Sequence, residues 1–304
     1  MTRGFGVGVL VALLAVSPVA ADPTVDGTAD AEYGAALAVQ NTETQFGDSN
    51  LGVVDFANGS ELDQGFGTIA NGVLYLHLAG NLESNFNKLE VFINTGAGGQ
   101  NKLRGDNPDV DFNGLNRMGD DGSGNGLTFD AGVDPDFWLS MTGGNSPYQL
   151  FANYAELLTL GGGQGYYLGA GSAVSDGTLD NSGFNPHGIK VTINNSNTGG
   201  VGGGTGLDDG SGVTTGIEWA IPLSALGDAS GPLDICTFIN GSGHDFLSNQ
   251  VLGGIGGGAN LGEPRNVNFG NIDGSQRFTV VPEPGTLALL ALAGLASMRR
   301  RRNA

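Results

Sequence analysis

The sequence predicts an all-β protein: an antiparallel β-sandwich with long glycine-rich loops, flanked by an N-terminal signal helix and a C-terminal hydrophobic helix. Three observations predict it. Short apolar runs with period-two alternation recur along the chain and are separated by turn residues. Long helical periodicity is absent between residues 22 and 281. Glycine supplies 56 of 304 residues, more than double the usual ~7%, which suits long loops between strands.

Residues 1–21 form the first segment. A basic Arg3 precedes an apolar run from Val7 to Val16, and Val19-Ala20-Ala21 places small residues where a signal peptidase cuts. The body, residues 22–281, opens with a short strand and turn from Pro23 to Gly34, in which Asp26-Gly27 supplies the turn chemistry. Leu51 to Phe56 is the next candidate strand. Asn71-Gly72 is a tight-turn signal before Leu74, Leu76 and Leu78, which alternate with Tyr75 and His77. Leu89, Val91 and Ile93 share one side of the strand from Lys88 to Asn94. A polar stretch from Thr95 to Gly126 interrupts the pattern. Strands resume at Leu127 to Phe129, Asp136 to Thr142, Tyr148 to Tyr154, Gly165 to Gly169 and Gly188 to Asn194. Asn195 to Gly212 is a flexible loop that cannot pack a core. Gly216 to Leu223 runs into a short turn at Ser224 to Leu226, and Leu233 to Ile239 and Gln276 to Val281 are the last strands.

The third segment, residues 282–304, has three parts in order: Pro282-Glu283-Pro284, an uncharged run from Leu287 to Ala296, and the cluster Arg299, Arg300, Arg301, Arg302. The run is short of the ~20 apolar residues a permanent span takes. The arginines favour the cytoplasmic side. The segment resembles the PEP-CTERM sorting signal of Gram-negative bacteria. That resemblance implies an inner-membrane intermediate, processing by an exosortase, and delivery to the cell surface or outside.

Taking off both ends leaves seven Lys and Arg against 30 Asp and Glu, a net charge of about −23 where the whole chain has −19. Such a body repels nucleic acid and anionic membranes, which excludes nucleic acid as a partner. The single cysteine, Cys236, allows no intrachain disulfide.

Within the body, Val25-Asp-Gly-Thr with Glu32-Tyr33-Gly34, Leu74-Tyr75-Leu76, Leu89 to Asn94 and Ile217-Glu-Trp-Ala-Ile-Pro-Leu-Ser-Ala-Leu226 together resemble family 9 carbohydrate-binding modules and DOMON-like domains. The runs Asn107 to Asn116 and Phe238 to His244 resemble exported planctomycete-type proteins with the same tail. These likenesses imply a β-sandwich and leave function open.

Two candidate sites stand out. Asp109, Asp111 and Asn113 occupy positions 1, 3 and 5 of a calcium-type loop, Gly114 position 6 and Asp120 position 12. They are the expected metal ligands, for a structural Ca²⁺. The loop departs from the EF-hand pattern in its Asp at position 12 and in lacking flanking helices, and an acidic solvated loop is the competing reading. Trp138, which follows Phe137 so that one of the pair faces in and one out, and nearby Tyr148 are candidates for stacking on a sugar ring, with core the favoured reading for Trp138. Trp219 shares a face with Ile217 and Ile221 and reads as core. No catalytic residue is expected. His77, His187 and His244 are scattered, and neither a Gly-x-Ser-x-Gly elbow nor a phosphate-binding glycine loop is present. Among 30 acidic residues no spacing singles out a hydrolytic pair. The sequence thus points to an exported, non-catalytic surface or matrix protein. The alternative is a carbohydrate-binding module of the envelope or exopolysaccharide with a polysaccharide partner. A polysaccharide-active enzyme comes third.

Overall fold

Alternation sorts each strand's side chains onto two faces, and the apolar faces meet between two sheets. The computed structural model describes residues 21–46 and 59–282. The signal helix, the apolar C-terminal helix and the strand expected from Leu51 to Phe56 lie outside the described residues. In chain order the strands are β1 (Ala38–Val39), β2 (Glu61–Ala70), β3 (Val73–Asn81), β4 (Lys88–Asn94), β5 (Phe137–Gly144) and β6 (Gln149–Glu156). Then come β7 (Gly165–Ser172), β8 (Lys190–Ile193), β9 (Gly216–Pro222), β10 (Leu233–Asn240), β11 (Leu247–Val251) and β12 (Phe278–Val280). One sheet has the order β1-β2-β3-β9-β8; the other has β11-β10-β4-β5-β6-β7, with β12 on β10. Every strand pairing is antiparallel. The only α-helix among the described residues is α1, Gly114–Arg117, so none is long and apolar enough to cross a membrane.

The main core lies between the sheets. Leu74, Leu76, Leu78, Ile217, Trp219 and Ile221 face Leu89, Val91, Ile93, Leu139, Met141 and Ile235, as the alternation requires. Asn71 and Gly72 both have positive φ (47° and 79°) and make the tight turn from β2 to β3.

Both sheets are also covered on the outside. Phe66, Tyr75 and Ala220 of the five-stranded sheet pack under Tyr33 and Val25 of the N-terminal segment. Phe92, Trp138, Ala155, Cys236 and Phe238 of the larger sheet pack under Leu103, Val110, Leu115, Met118, Leu127, Phe129 and Val133. The polar stretch after β4 is therefore a covering layer, with apolar residues spaced too irregularly to read as strand or helix. Leu127 to Phe129, expected as a strand, makes only single bridges through Thr128, and the short strand expected within Pro23 to Gly34 is reduced to one bridge, Thr28 to Thr215.

Three strands escaped the sequence, the first of them the two-residue β1. β2 contains two acids and two glycines. A side chain at Gly65 would meet Phe278, and one at Gly67 would meet Val280, so β12 fills the space that inward apolar residues would otherwise occupy. β11 reads Leu247-Ser-Asn-Gln-Val251 and buries its polar residues.

Candidate functional site

Lys88, Glu90 and Phe92 alternate on the outer face of β4, opposite the core-facing Leu89, Val91 and Ile93. Strand pairing sets Trp138 of β5 beside Phe92, and Asn240 of β10 beside Lys88. The turn after β10 raises His244, at φ 55°, over this face. The covering layer meets it from the other side. Asp111, Phe112 and Asn113 take left-handed φ values of 48°, 55° and 64° in succession. Each costs of order 1 kcal/mol for an L-residue. The reversal drives Asp111 inward and leaves the Phe112 side chain fully exposed. Gly114 follows because a Cβ there would strike the His244 ring.

A chain of alternating charge results. Glu90, wholly buried, accepts from Trp138 Nε1 at 2.9 Å, from Asn240 Nδ2 at 3.3 Å and from His244 Nδ1 at 2.7 Å. His244 Nε2 donates to Asp111 Oδ2 at 2.9 Å, and Lys88 Nζ reaches the same oxygen at 2.8 Å. Burial opposes charge on His244, but the Glu90 and Asp111 carboxylates outweigh it and lift the imidazole to about 9. Asp111 is likewise opposed by burial, yet His244 and Lys88 hold it down at about 2. The ring is an imidazolium at neutral pH, with both N–H groups donated to carboxylates. It has no lone pair to act as a base. Ser242 lines the same cleft, and neither ring nitrogen is left to activate it.

The cleft beside this chain measures about 300 Å³. Lys88, Arg117 and Arg265 line it, and each is ion-paired, to Asp111, Glu263 and Asp121 respectively. Three of the body's seven Lys and Arg therefore gather at one place. The arrangement binds the covering layer to the sheet and balances its own charge.

The expected calcium ligands part company here. Asp109 is exposed, and Asp111 belongs to the charge chain. Asn113 accepts from Asn116 Nδ2 at 2.7 Å. Asp120 Oδ1 accepts from the Gly122 and Gly124 amides at 2.8 and 2.9 Å. Among the described residues no three His, Cys, Asp or Glu side chains gather as a metal-holding set. The left-handed run and α1 turn Asp111 and Asp120 to different partners, so these residues do not form a single oxygen cage. For Trp138 the core reading holds and the sugar-stacking one fails. It is wholly buried, pinned through its indole nitrogen to Glu90, and has no face to offer a sugar. Tyr148 is half-buried, and its hydroxyl donates to Leu82 O at 3.0 Å. Lys88 and Glu90 were missed. The available signal was the pair of runs Asn107 to Asn116 and Phe238 to His244, which the structure joins through Asp111 and His244.

Of the sorting-signal residues, Pro282 is described and buried, while Glu283, Pro284 and Arg299 to Arg302 lie outside the described residues. Val280, the last residue of β12, pairs with Leu233 of β10. The body's last strand thus ends where the predicted signal begins. Residues 280–302 match the model of the PEP-CTERM protein-sorting motif. The chain carries a PEP-CTERM sorting motif. That motif supports an exported protein recognised by an exosortase and sent to the cell surface by way of the membrane. No curated protein and no solved structure matches the chain. The likeness of the body to family 9 carbohydrate-binding modules and DOMON-like domains therefore rests on the sequence runs alone. The PEP-CTERM match begins at Val280, the last residue of β12, so it overlaps the described strands by that one residue.

Proposed function

We propose that the chain is a non-catalytic surface or matrix protein, whose β-sandwich body is displayed or released after an exosortase-type enzyme processes the tail. The observation that carries this reading is the PEP-CTERM motif starting at the last strand. The fully engaged His244, with no activated nucleophile beside it, supports a non-catalytic body. Fractionation of cells making the full chain, beside a Pro282→Ala/Glu283→Ala/Pro284→Ala variant, tests it. The unaltered body is expected at the surface or in the medium, and the variant held in the inner membrane. Equal distribution of the two overturns the reading, as does hydrolysis of a polysaccharide that stops on mutating one Asp or Glu.

Carbohydrate binding, the second reading, has one supporting observation. Tyr154 stacks on Tyr166 (6.2 Å, 7°), and Tyr166 meets Phe184 edge-on at 5.1 Å. Phe184 is 60% exposed. Aromatic rings that reach the surface suit apolar sugar faces. A glycan array with the full chain, on which Phe184→Ala abolishes a positive signal, would favour this reading, and an array without signal would discard it.

A further inference from the structure

A second polar knot lies on the five-stranded sheet, away from the His244 cleft. β2 pairs Leu62 with Gly80 and Gln64 with Ala79, which leaves Asp63 as the extra residue of a β-bulge. Bulges re-aim side chains, and this one brings Asp63 alongside Glu61. Both are buried. Glu61 Oε1, Asp63 Oδ2 and the Gly199 carbonyl all lie within 3.4 Å of one atom, the amide nitrogen of Asn197. Asn81 Nδ2 stands 3.1 Å from the same Glu61 oxygen and 3.4 Å from Asn197 O. Glu61 Oε2 is buried and makes no hydrogen bond among the described residues. No Lys, Arg or His pairs with either carboxylate among the described residues.

Two buried carboxylates, two backbone carbonyls and a side-chain amide form a hard-oxygen set that has, among the described residues, one unpartnered carboxylate oxygen and no cationic side chain. Buried carboxylates left so are costly. Burial, with the neighbouring Asp63 charge, pushes Glu61 up to about 10, and burial lifts Asp63 to about 7. The surroundings are shaped for Asp63. Gly200, at φ 107°, has no side chain where a Cβ would strike that carboxylate, and the Val201 amide donates to it at 2.9 Å. Asn197 is half-buried and Gly199 exposed, so the cluster opens to solvent through the loop after β8.

We propose that Glu61, Asp63, Asn197 and the Gly199 carbonyl bind a calcium ion. The oxygen donors suit Ca²⁺, which takes 6–8 oxygens in flexible geometry, better than Mg²⁺, which demands a strict octahedron. The ion takes the place now held by the Asn197 amide nitrogen, and the Asn197 side chain draws back and presents its amide oxygen to it. The ion neutralises both carboxylates and staples the glycine-rich loop, residues 195–212, to the edge of β2. The inference stands apart from the sorting reading, because it concerns the body alone.

Calcium titration of the full chain by calorimetry tests it, with hydrogen exchange over residues 197–201. A saturable Ca²⁺ response is expected, with loop protection rising at least tenfold, Mg²⁺ at least tenfold weaker, and matched NaCl inert. Glu61→Gln and Asp63→Asn are each expected to weaken Ca²⁺ at least tenfold. Both keep the shape and the neutral form that burial favours, so they retain the fold, and circular dichroism checks this. Asp109→Ala leaves calcium binding unchanged. Equal responses to Ca²⁺, Mg²⁺ and NaCl overturn the proposal, as does a calcium response that survives Glu61→Gln or disappears with Asp109→Ala.

Discussion

Raising the pH through the alkaline range is expected to loosen the covering layer from the larger sheet, and His244 sets the magnitude. Its folded value of about 9 lies above the ordinary 6.5. A group raised on folding stabilises fully below its unfolded value, and the gain is lost as pH rises through the folded one. At about 1.4 kcal/mol per pH unit, the gap between 6.5 and 9 amounts to about 3 kcal/mol. Other groups titrate nearby. Glu218 is raised by burial to about 7, as is Asp63, and Glu61 to about 10. Raised acids also make stability fall with pH, so the wild-type profile alone is a mixture. His244→Gln isolates the histidine, since glutamine keeps a donor for Glu90 but carries no charge. Urea unfolding of both proteins between pH 6.5 and 9.5 gives the comparison. The wild-type advantage at pH 6.5 is expected to shrink by about 3 kcal/mol by pH 9.5. Parallel profiles would refute the reasoning and show the imidazole to be neutral in the folded state.

Further outcomes follow from the same contacts. Gly114→Ala pushes a methyl into the His244 ring and is expected to cost about 1–3 kcal/mol by thermal unfolding, with the His244 titration measured by NMR moving toward 6.5. Trp138→Phe keeps the packing but strands a buried Glu90 oxygen, for about 1–3 kcal/mol, and leaves any glycan-array signal unchanged. Asp109→Ala and Asp111→Ala would be equal partners in one calcium loop. The structure separates them: the first is expected to fall within about 0.5 kcal/mol of wild type. The second is expected to cost about 3 kcal/mol or more, with calcium present or absent, because it leaves buried cations unpaired.

The sheet interior was legible because a strand's period forces its partition. Leu74, Leu76, Leu78 and Leu89, Val91, Ile93 declared their faces before any partner was known. β2 and the covering layer were illegible for a physical reason. Gly65 and Gly67 are small because β12, more than two hundred residues on, supplies the bulk. Leu103, Val110, Leu115 and Met118 are apolar because they cap Phe92, Trp138 and Phe238, not because they share a local period. The site was half visible. Alternate oxygen-bearing residues around Gly114 signalled a sharp turn, which is present. Their spacing could not reveal that His244, more than a hundred residues away, would claim Asp111.

The two outer faces solve one problem in the same way. Each sheet hides its second apolar face under a segment with little regular structure, and such a segment has few hydrogen bonds of its own to hold it down. Each sheet answers with a buried glutamate on a central strand. Glu90 of β4 accepts from His244, and the imidazolium ties it to Asp111 of the covering layer. Glu218 of β9 accepts from Tyr33 Oη at 2.7 Å and from the Asp26 and Gly27 amides at 2.8 Å, all in the N-terminal segment. The two differ in charge balance. Glu90 has a cation beside it and sits in a chain of alternating sign, while Glu218 meets only neutral donors and is raised to about 7 by burial. A body with seven basic residues against 30 acidic ones cannot give every buried carboxylate a cation. Much of its small basic complement is concentrated on the larger cover, and the N-terminal segment is held by neutral hydrogen bonds. In an exported chain whose only cysteine is buried and free, these polar ties take the place a disulfide would otherwise fill. The N-terminal cover therefore weakens as pH rises from 4.5 toward 7, and the His244 cover follows between 6.5 and 9.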